Sequence, residues 1–183
     1  HIFYGHGLQG LLAESAHEND GATVFGYYVN DPTAYGVAEF DRDGVVIGLE
    51  EKPKQPKSHS AVAGLYFYDE QVVAHAKALK PSARGELEIT DLYRRYLDAG
   101  KLRLKKFGRG VAWLDTGTPV ALLQAANFVQ TIQARQGLRA SCPEEISFRQ
   151  GWIDAEQLGR LADPLKKTEY GQYLQALADG LDV

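Results

Sequence analysis

ATVFGYYV, residues 22–29, carries no charge, is rich in β-branched and aromatic side chains, and is bracketed by Asn19-Asp20-Gly21 and Asn30-Asp31-Pro32. A half-exposed strand would show a polar residue at every second position. This run shows no such alternation, so it reads as a strand buried on both faces. The turn residues at either end fix its length.

Working outward, AVAGLYFY (61–68) has the same character and is a second buried strand. Between them VAEF (37–40), a turn at Asp41 to Gly44 and VVIGLEE (45–51) read as a hairpin, and KPKQPK (52–57) as a charged loop. Upstream, GLQGLLAESAHE (7–18) places Leu8, Leu11, Leu12 and Ala16 on one face of a short helix. Downstream, helical patterns at 70–79 and 87–99 flank the Pro81 to Gly85 turn, and LRLKKF (102–107) and VAWLD (111–115) are two more strands. Beyond Gly117 every periodic segment is helical: 119–135, 143–150, 154–162 and 165–181, with Pro143 and Pro164 at or near starts. The expectation is an α/β domain with a mixed sheet over 1–118, then a C-terminal helical extension over 119–183.

A chain of 183 residues can bury a sizeable core. Its net charge of −4 argues against a nucleic-acid partner, which calls for a basic face. The run KLRLKKFGR (101–109) is explained by a strand with one solvated face. Cys142 is the single cysteine, so no disulfide forms within the chain, and no apolar run approaches membrane-spanning length. The chain opens on His1 without a signal-peptide pattern and contains no methionine, which reads as a fragment boundary.

Four segments carry candidate chemistry. In LEEKP (49–53), the proline disfavours helix for Lys52, so Lys52 is expected to be extended and to point away from Glu51. Glu51 can then accept hydrogen bonds from sugar hydroxyls while the Lys52 ammonium neutralises a phosphate; a solvated strand end explains the same residues. In PSARGELEITD (81–91), Arg84 precedes a helix start that favours an anion, and its planar fork suits phosphate; an exposed turn arginine beside Glu86 and Glu88 is the alternative. In AWLDTGT (112–118), Asp115 follows a buried strand where α/β sheets place ligands, and can hold Mg²⁺ together with phosphate oxygens, or serve as a turn or cap residue. In DPTAYGV (31–37), Gly36 lets backbone approach a ligand, or only turns the chain.

Gly5-His6-Gly7 and Gly108-Arg109-Gly110 lack the flanking elements of a dinucleotide fingerprint. The histidines show no metal-ligand spacing, and Ser60 and Ser82 lack a nucleophile-elbow context. Hydrolase, metalloprotease and dehydrogenase readings are weakened accordingly.

Taken in order, IFYGHG, DPTAYGVAEFD, LEEKPKQPKS, AVAGLYFYD, PSARGELEITDL, GRGVAWLDTGT and CPEEISFRQGWID resemble the glucose-1-phosphate thymidylyltransferases, from residue 2 to about 175. The resemblance implies a Rossmann-like nucleotidyltransferase fold, incomplete at its N-terminus. It implies a cytoplasmic, Mg²⁺-dependent enzyme making dTDP-glucose and pyrophosphate from dTTP and glucose 1-phosphate, the first step toward dTDP-L-rhamnose, and by analogy a tetramer. On matching positions it implies that Gly36 and Glu51 contact glucose hydroxyls and that Val62 and Tyr66 line the sugar pocket. Lys52 and Arg84 would hold the phosphate, and Asp115 would be one of two metal carboxylates.

The resemblance also implies a regulatory nucleotide site at Tyr4, Gly5, Arg109, Glu145, Ile146 and Arg149. The family's N-terminal third, with its glycine-rich loop, base-recognition strands and other metal aspartate, has no counterpart in the sequence, so the isolated chain is expected to lack synthetic activity. Its loss is expected to deprive strands such as 22–29 and 61–68 of neighbours. A UTP- or CTP-using relative and a non-catalytic sugar-nucleotide-binding or assembly module stay open as alternatives.

Overall fold

The structure is a computed structural model that describes residues 1–83 and 85–180. The chain divides into two compact units, 1–115 and 116–183.

The first unit is built on the two uncharged runs. They form β2 (Ala22–Tyr28) and β5 (Ser60–Tyr68), paired antiparallel at the middle of a five-stranded sheet. With β3 (Gly36–Phe40), β4 (Val46–Glu51) and β6 (Leu102–Lys106), the order is β4-β3-β5-β2-β6, and β2–β6 is a parallel pair. Neither β2 nor β5 is an edge, which corrects the expectation that they would lack neighbours. The edges are β4 and β6. The second carries Arg103, Lys105 and Lys106, charges that discourage pairing with another strand. Lys105 also binds Glu14 and Glu18, each at 3.0 Å, and so ties α1 (Leu8–Glu18) to that edge.

Each face of the sheet has its own apolar cluster. On one, Phe25 stacks on Phe107 at 5.0 Å between centroids, with Ala61, Ala63, Val111 and Trp113 around them. On the other, Val24, Ala38, Leu49 and Val62 meet Tyr93 of α3 (Ile89–Asp98). Fully burying a side chain of this size contributes about 1.5–3 kcal/mol, so an uninterrupted apolar run belongs in the middle of such a sheet. α2 is Val72–Lys77, shorter than the pattern at 70–79. β1 (Ile2–Gly5), which the sequence did not reveal, pairs antiparallel with β7 (Val111–Leu114) in a separate two-stranded ribbon.

The second unit is helical: α4 (Pro119–Gln136), α5 (Pro143–Arg149), α6 (Ala155–Ala162) and α7 (Glu169–Ala178). Its core gathers Cys142, Leu158, Ala162, Tyr173, Leu174 and Leu177. The helix expected from 165 starts later. Asp163–Leu165 form a 3-10 turn, and Thr168 then caps α7 by accepting the Gly171 N–H at 3.1 Å. A local cap that satisfies a free helix donor outweighed the start signal at Pro164.

Candidate functional site

β2 and β5 keep register from Tyr28↔Ser60 to Phe25↔Ala63 and again from Val24↔Tyr66 to Ala22↔Tyr68, so Gly64 and Leu65 have no ladder partner in β2. Bulges of this kind re-aim side chains and occur beside active sites. Two groups of polar side chains are tied to it, one through Tyr66 and one through Gly64.

The first group is centred on Glu51. It ends β4 directly opposite Gly36, the first residue of β3. Thr90, in the first turn of α3 and only 1% exposed, donates its hydroxyl to Glu51 Oε2 at 2.5 Å. A Cβ at position 36 would stand 3.2 Å from that carboxylate oxygen and 3.3 Å from the Thr90 hydroxyl, so glycine leaves the pair its space. With Oε2 fixed by Thr90, Oε1 can accept from a ligand hydroxyl. Burial raises the Tyr66 phenol above its ordinary value, the Tyr93 hydroxyl partly offsets this, and the Glu51 carboxylate adds to the rise. Val62 is buried in the cluster that also packs Tyr66.

The second group surrounds Asp115, just beyond β7. Its Oδ1 lies 3.3 Å from His1 Nδ1, and the Trp113 indole donates to the same nitrogen at 3.3 Å. That nitrogen serves one of them at a time: unprotonated it accepts from the indole, protonated it donates to the carboxylate. A Cβ at Gly64 would come within 2.5 Å of His1 Nε2, so the bulge glycine makes room for the imidazole. Tyr35 packs on Trp113 at 5.1 Å between centroids. Burial raises its phenol, and the Asp115 carboxylate adds to the rise.

Lys52 reaches this group through Tyr35. Its backbone N–H donates to the Tyr35 carbonyl at 2.9 Å. The expectation of an extended Lys52 is wrong: φ is +45°, in the left-handed region that a side chain rarely adopts. The hydrogen bond to Tyr35 turns the chain out of β4 at this point, against the local preference of a residue before proline. The Lys52 backbone thus bonds Tyr35, whose ring packs on Trp113, two residues before Asp115. Arg84 lies outside the described residues; the turn on either side of it closes through Ser82 N–H to the Glu86 carbonyl at 2.8 Å, just ahead of α3.

The regulatory candidates fall in both units. In the first, Gly5 pairs with Val111, and a Cβ on it would meet the Gly110 carbonyl at 2.5 Å; Tyr4 precedes it in β1, and exposed Arg109 precedes Gly110. In the second, α5 carries Glu145, Ile146 and Arg149. Arg149 Nε binds Glu145 at 2.8 Å, and Tyr173 donates to the other Glu145 oxygen at 2.6 Å.

A cleft of about 300 Å³ also lies along the hairpin, lined by Glu39, Glu50, Pro53, Lys57 and Arg94 among others. Its cations are occupied: Lys57 binds Glu39 at 2.7 Å, and Arg94 binds Asp91 at 2.7 Å and the Leu49 carbonyl at 2.8 Å. It contains none of the expected site residues. Sequence reading also missed Tyr35 and Thr90 as neighbours of the candidate residues, because these contacts come from tertiary proximity. The segment GELEITD did contain Thr90, but nothing local tied it to Glu51, 39 positions away.

Residues 1–132 match the profile of the family described as Nucleotidyl transferase. The chain belongs to that family. Among proteins similar to this chain, one from Xanthomonas campestris pv. campestris (strain B100) is named glucose-1-phosphate thymidylyltransferase. It is 64% identical over 177 residues, covering 97% of this chain and 60% of the relative. A protein of the same name from Mycolicibacterium smegmatis is 54% identical over 178 residues, 97% of this chain and 62% of the relative. A crystal structure described as a glucose-1-phosphate thymidylyltransferase from Bacillus anthracis in complex with a sucrose aligns with a TM-score of 0.60 at 42% identity, covering 69% of this chain and 50% of that one. The chain therefore spans about three fifths of the length of the curated relatives it matches. The mixed sheet is that of a Rossmann-like nucleotidyltransferase, as expected. Among the described residues, no helix is long and apolar enough to cross a membrane.

Proposed function

We propose that this chain supplies the sugar-phosphate site of an enzyme that joins glucose 1-phosphate to dTTP and releases pyrophosphate. The observation that carries this reading is the Glu51 carboxylate, held by buried Thr90 opposite a Cβ-free Gly36 and followed directly by Lys52. That arrangement offers an oriented acceptor for sugar hydroxyls next to a cation for the sugar's phosphate. The names of the relatives favour dTTP as the second substrate and dTDP-glucose as the product.

In this reading an oxygen of the sugar phosphate attacks the α-phosphorus of dTTP in line. The new P–O bond forms as the bond from that phosphorus to the β-phosphate oxygen breaks, and pyrophosphate leaves with the electron pair. No protein nucleophile is needed. Lys52 and Arg84 reduce the repulsion between two anionic substrates, and Glu51 with Gly36 and Tyr66 orients the sugar.

Among the described residues no three metal-capable side chains gather. The donor set fits an ion shared with substrate phosphates, which needs one or two carboxylates, and not an all-protein cage. Asp115 would hold Mg²⁺, which when bound neutralises phosphate charge. Tyr4, Gly5 and Arg109 of the first unit, and separately Glu145, Ile146 and Arg149 of the second, are proposed to take part in regulatory nucleotide binding by a cytoplasmic tetramer.

The test is pyrophosphate release by the full-length gene product with glucose 1-phosphate and dTTP, UTP or CTP in turn. Turnover fastest with dTTP is expected. Asp115→Asn is expected to lower Mg²⁺-dependent turnover at least tenfold with an unchanged melting temperature. Equal turnover in that variant removes the metal assignment, and release with none of the three nucleotides removes the enzyme.

A further inference from the structure

Glu51 is the last residue of β4, an edge strand with a neighbour on one side only. The end of that strand is held from outside the ladder at Leu49, Glu51 and Lys52. The Leu49 carbonyl accepts from both Nε and Nη2 of Arg94, at 3.0 and 2.8 Å. The Glu51 carboxylate accepts from Thr90 at 2.5 Å, and the Lys52 N–H donates to the Tyr35 carbonyl at 2.9 Å. Thr90 and Arg94 stand one turn apart on α3, and Leu49 and Glu51 are alternate residues of β4. α3 therefore grips the end of β4 at two successive points, and Arg94 makes the second.

Stability does not account for this second contact. Arg94 is exposed and lines the hairpin cleft, and its Nη1 binds Asp91 at 2.7 Å on the same helix. An exposed ion pair contributes little, and water from the cleft can take the place of the guanidinium at the carbonyl. Water cannot hold α3 and β4 at a fixed separation, and the Thr90–Glu51 bond needs one: a shift of about 1 Å is enough to lose it. The guanidinium can, because Asp91 and the Leu49 carbonyl together fix its plane. Arg95, the next residue of α3, makes the contrast. It too donates to a carbonyl, at 2.8 Å, but that of Ala78 at the end of α2 and not of β4.

We propose that Arg94 is a positioning residue for Glu51. By anchoring the Leu49 carbonyl to α3, it sets the end of β4 where Thr90 can hold the Glu51 carboxylate, and through that carboxylate it governs how well the sugar of glucose 1-phosphate is bound. The inference rests on the sugar-phosphate reading given above. Arg94 acts through the strand, and the contact with the sugar is made by Glu51, so the effect belongs to sugar binding and not to the chemical step.

A double-mutant cycle on the full-length gene product tests it. Lysine offers a single ammonium that cannot span both partners, so Arg94→Lys is expected to raise KM for glucose 1-phosphate about fivefold and to leave kcat and KM for dTTP unchanged. Arg95→Lys is expected to change none of the three. In a Thr90→Val background the Arg94 substitution is expected to add nothing, because the bond it sets up is gone. The methyl resonance of Thr90, followed with ¹³C-labelled threonine in the absence of substrate, is expected to shift in Arg94→Lys and to stay in place in Arg95→Lys. Asp91→Asn, which releases only Nη1, is expected to raise the same KM about twofold and decides the matter should Arg94→Lys fail to fold. An unchanged KM, an unmoved Thr90 resonance, equal effects of the two arginine substitutions, or equal effects of Arg94→Lys with and without Thr90 overturns the proposal. Absence of turnover in the unsubstituted enzyme instead defeats the sugar-phosphate reading, and the Thr90 resonance then still decides whether Arg94 positions the Glu51–Thr90 pair.

Discussion

In the helical unit, α4, α6 and α7 each begin on a side chain that takes a backbone N–H: Thr118, Asp154 and Thr168. Asp154 and Gln157 complete a reciprocal capping box at 2.8 and 2.9 Å. In the sheet unit, α1 and α3 start without a side-chain cap, Lys52 holds a positive φ, and Tyr68 and Tyr93 bury unpaired hydroxyls. Except at α5, which starts at Cys142 without a side-chain cap, the helices of the helical unit follow local rules, whereas the sheet unit departs from them at several points. Sequences depart from local consistency where a site requires it, and the contrast agrees with the proposal that the site lies in the sheet unit. Ser141 is the helical unit's own departure, at φ +59°, and it lies just ahead of α5, the helix with Glu145 and Arg149.

The contrast can be broken from either side. The largest effect is expected from Gly171→Ala in the helical unit, where a Cβ would run into the Leu165 backbone. A chain already at its local optimum has no slack there, and the cost should be about 3 kcal/mol, read by urea denaturation. A loss below about 1 kcal/mol would mean that α7 packs more loosely than described.

Lys52→Gly is expected to act in the opposite direction. Glycine adopts positive φ freely, so relief of strain should raise stability by about 1 kcal/mol, while KM for glucose 1-phosphate rises. Stability and binding falling together would show that Lys52 serves the fold and is not strained for a ligand.

The smallest effect concerns pH. Burial, followed by the hydrogen bond to Glu145, raises the Tyr173 phenol to about 12. The folded chain therefore keeps a proton that the unfolded chain gives up near its ordinary value of 10. The associated stability is intact below that value and is lost as pH rises from 10 to 12. Denaturation midpoints across this window should fall, and fall less steeply in Tyr173→Phe. Identical slopes for the two proteins would contradict the Glu145 contact.

The fold was legible because its two central strands are uncharged runs between turn signals, and because helix periodicity past Gly117 is unbroken. β1 was not legible: IFYG is short, and its only ladder is with β7, more than a hundred positions away. The start of α7 was misplaced because Pro164 resembles a first-turn proline, whereas the cap that decides is at Thr168. At the site, Glu51, Lys52 and Asp115 stood out as charges at strand ends. Their settings did not: the left-handed Lys52, the Thr90 hydroxyl on Glu51 and the imidazole over Gly64 are all long-range facts. Charge placed at a strand end is written locally, and what orients it is not.

The most direct measurement is a backbone resonance titration of the full chain with glucose 1-phosphate, repeated with Glu51→Gln. Saturable shifts are predicted at Gly36, Gly64, Tyr66 and Thr90, and they should largely vanish in the variant. Shifts gathered instead at Glu39, Lys57 and Arg94 along the hairpin cleft, and indifferent to the change at Glu51, would contradict the placement of the sugar-phosphate site.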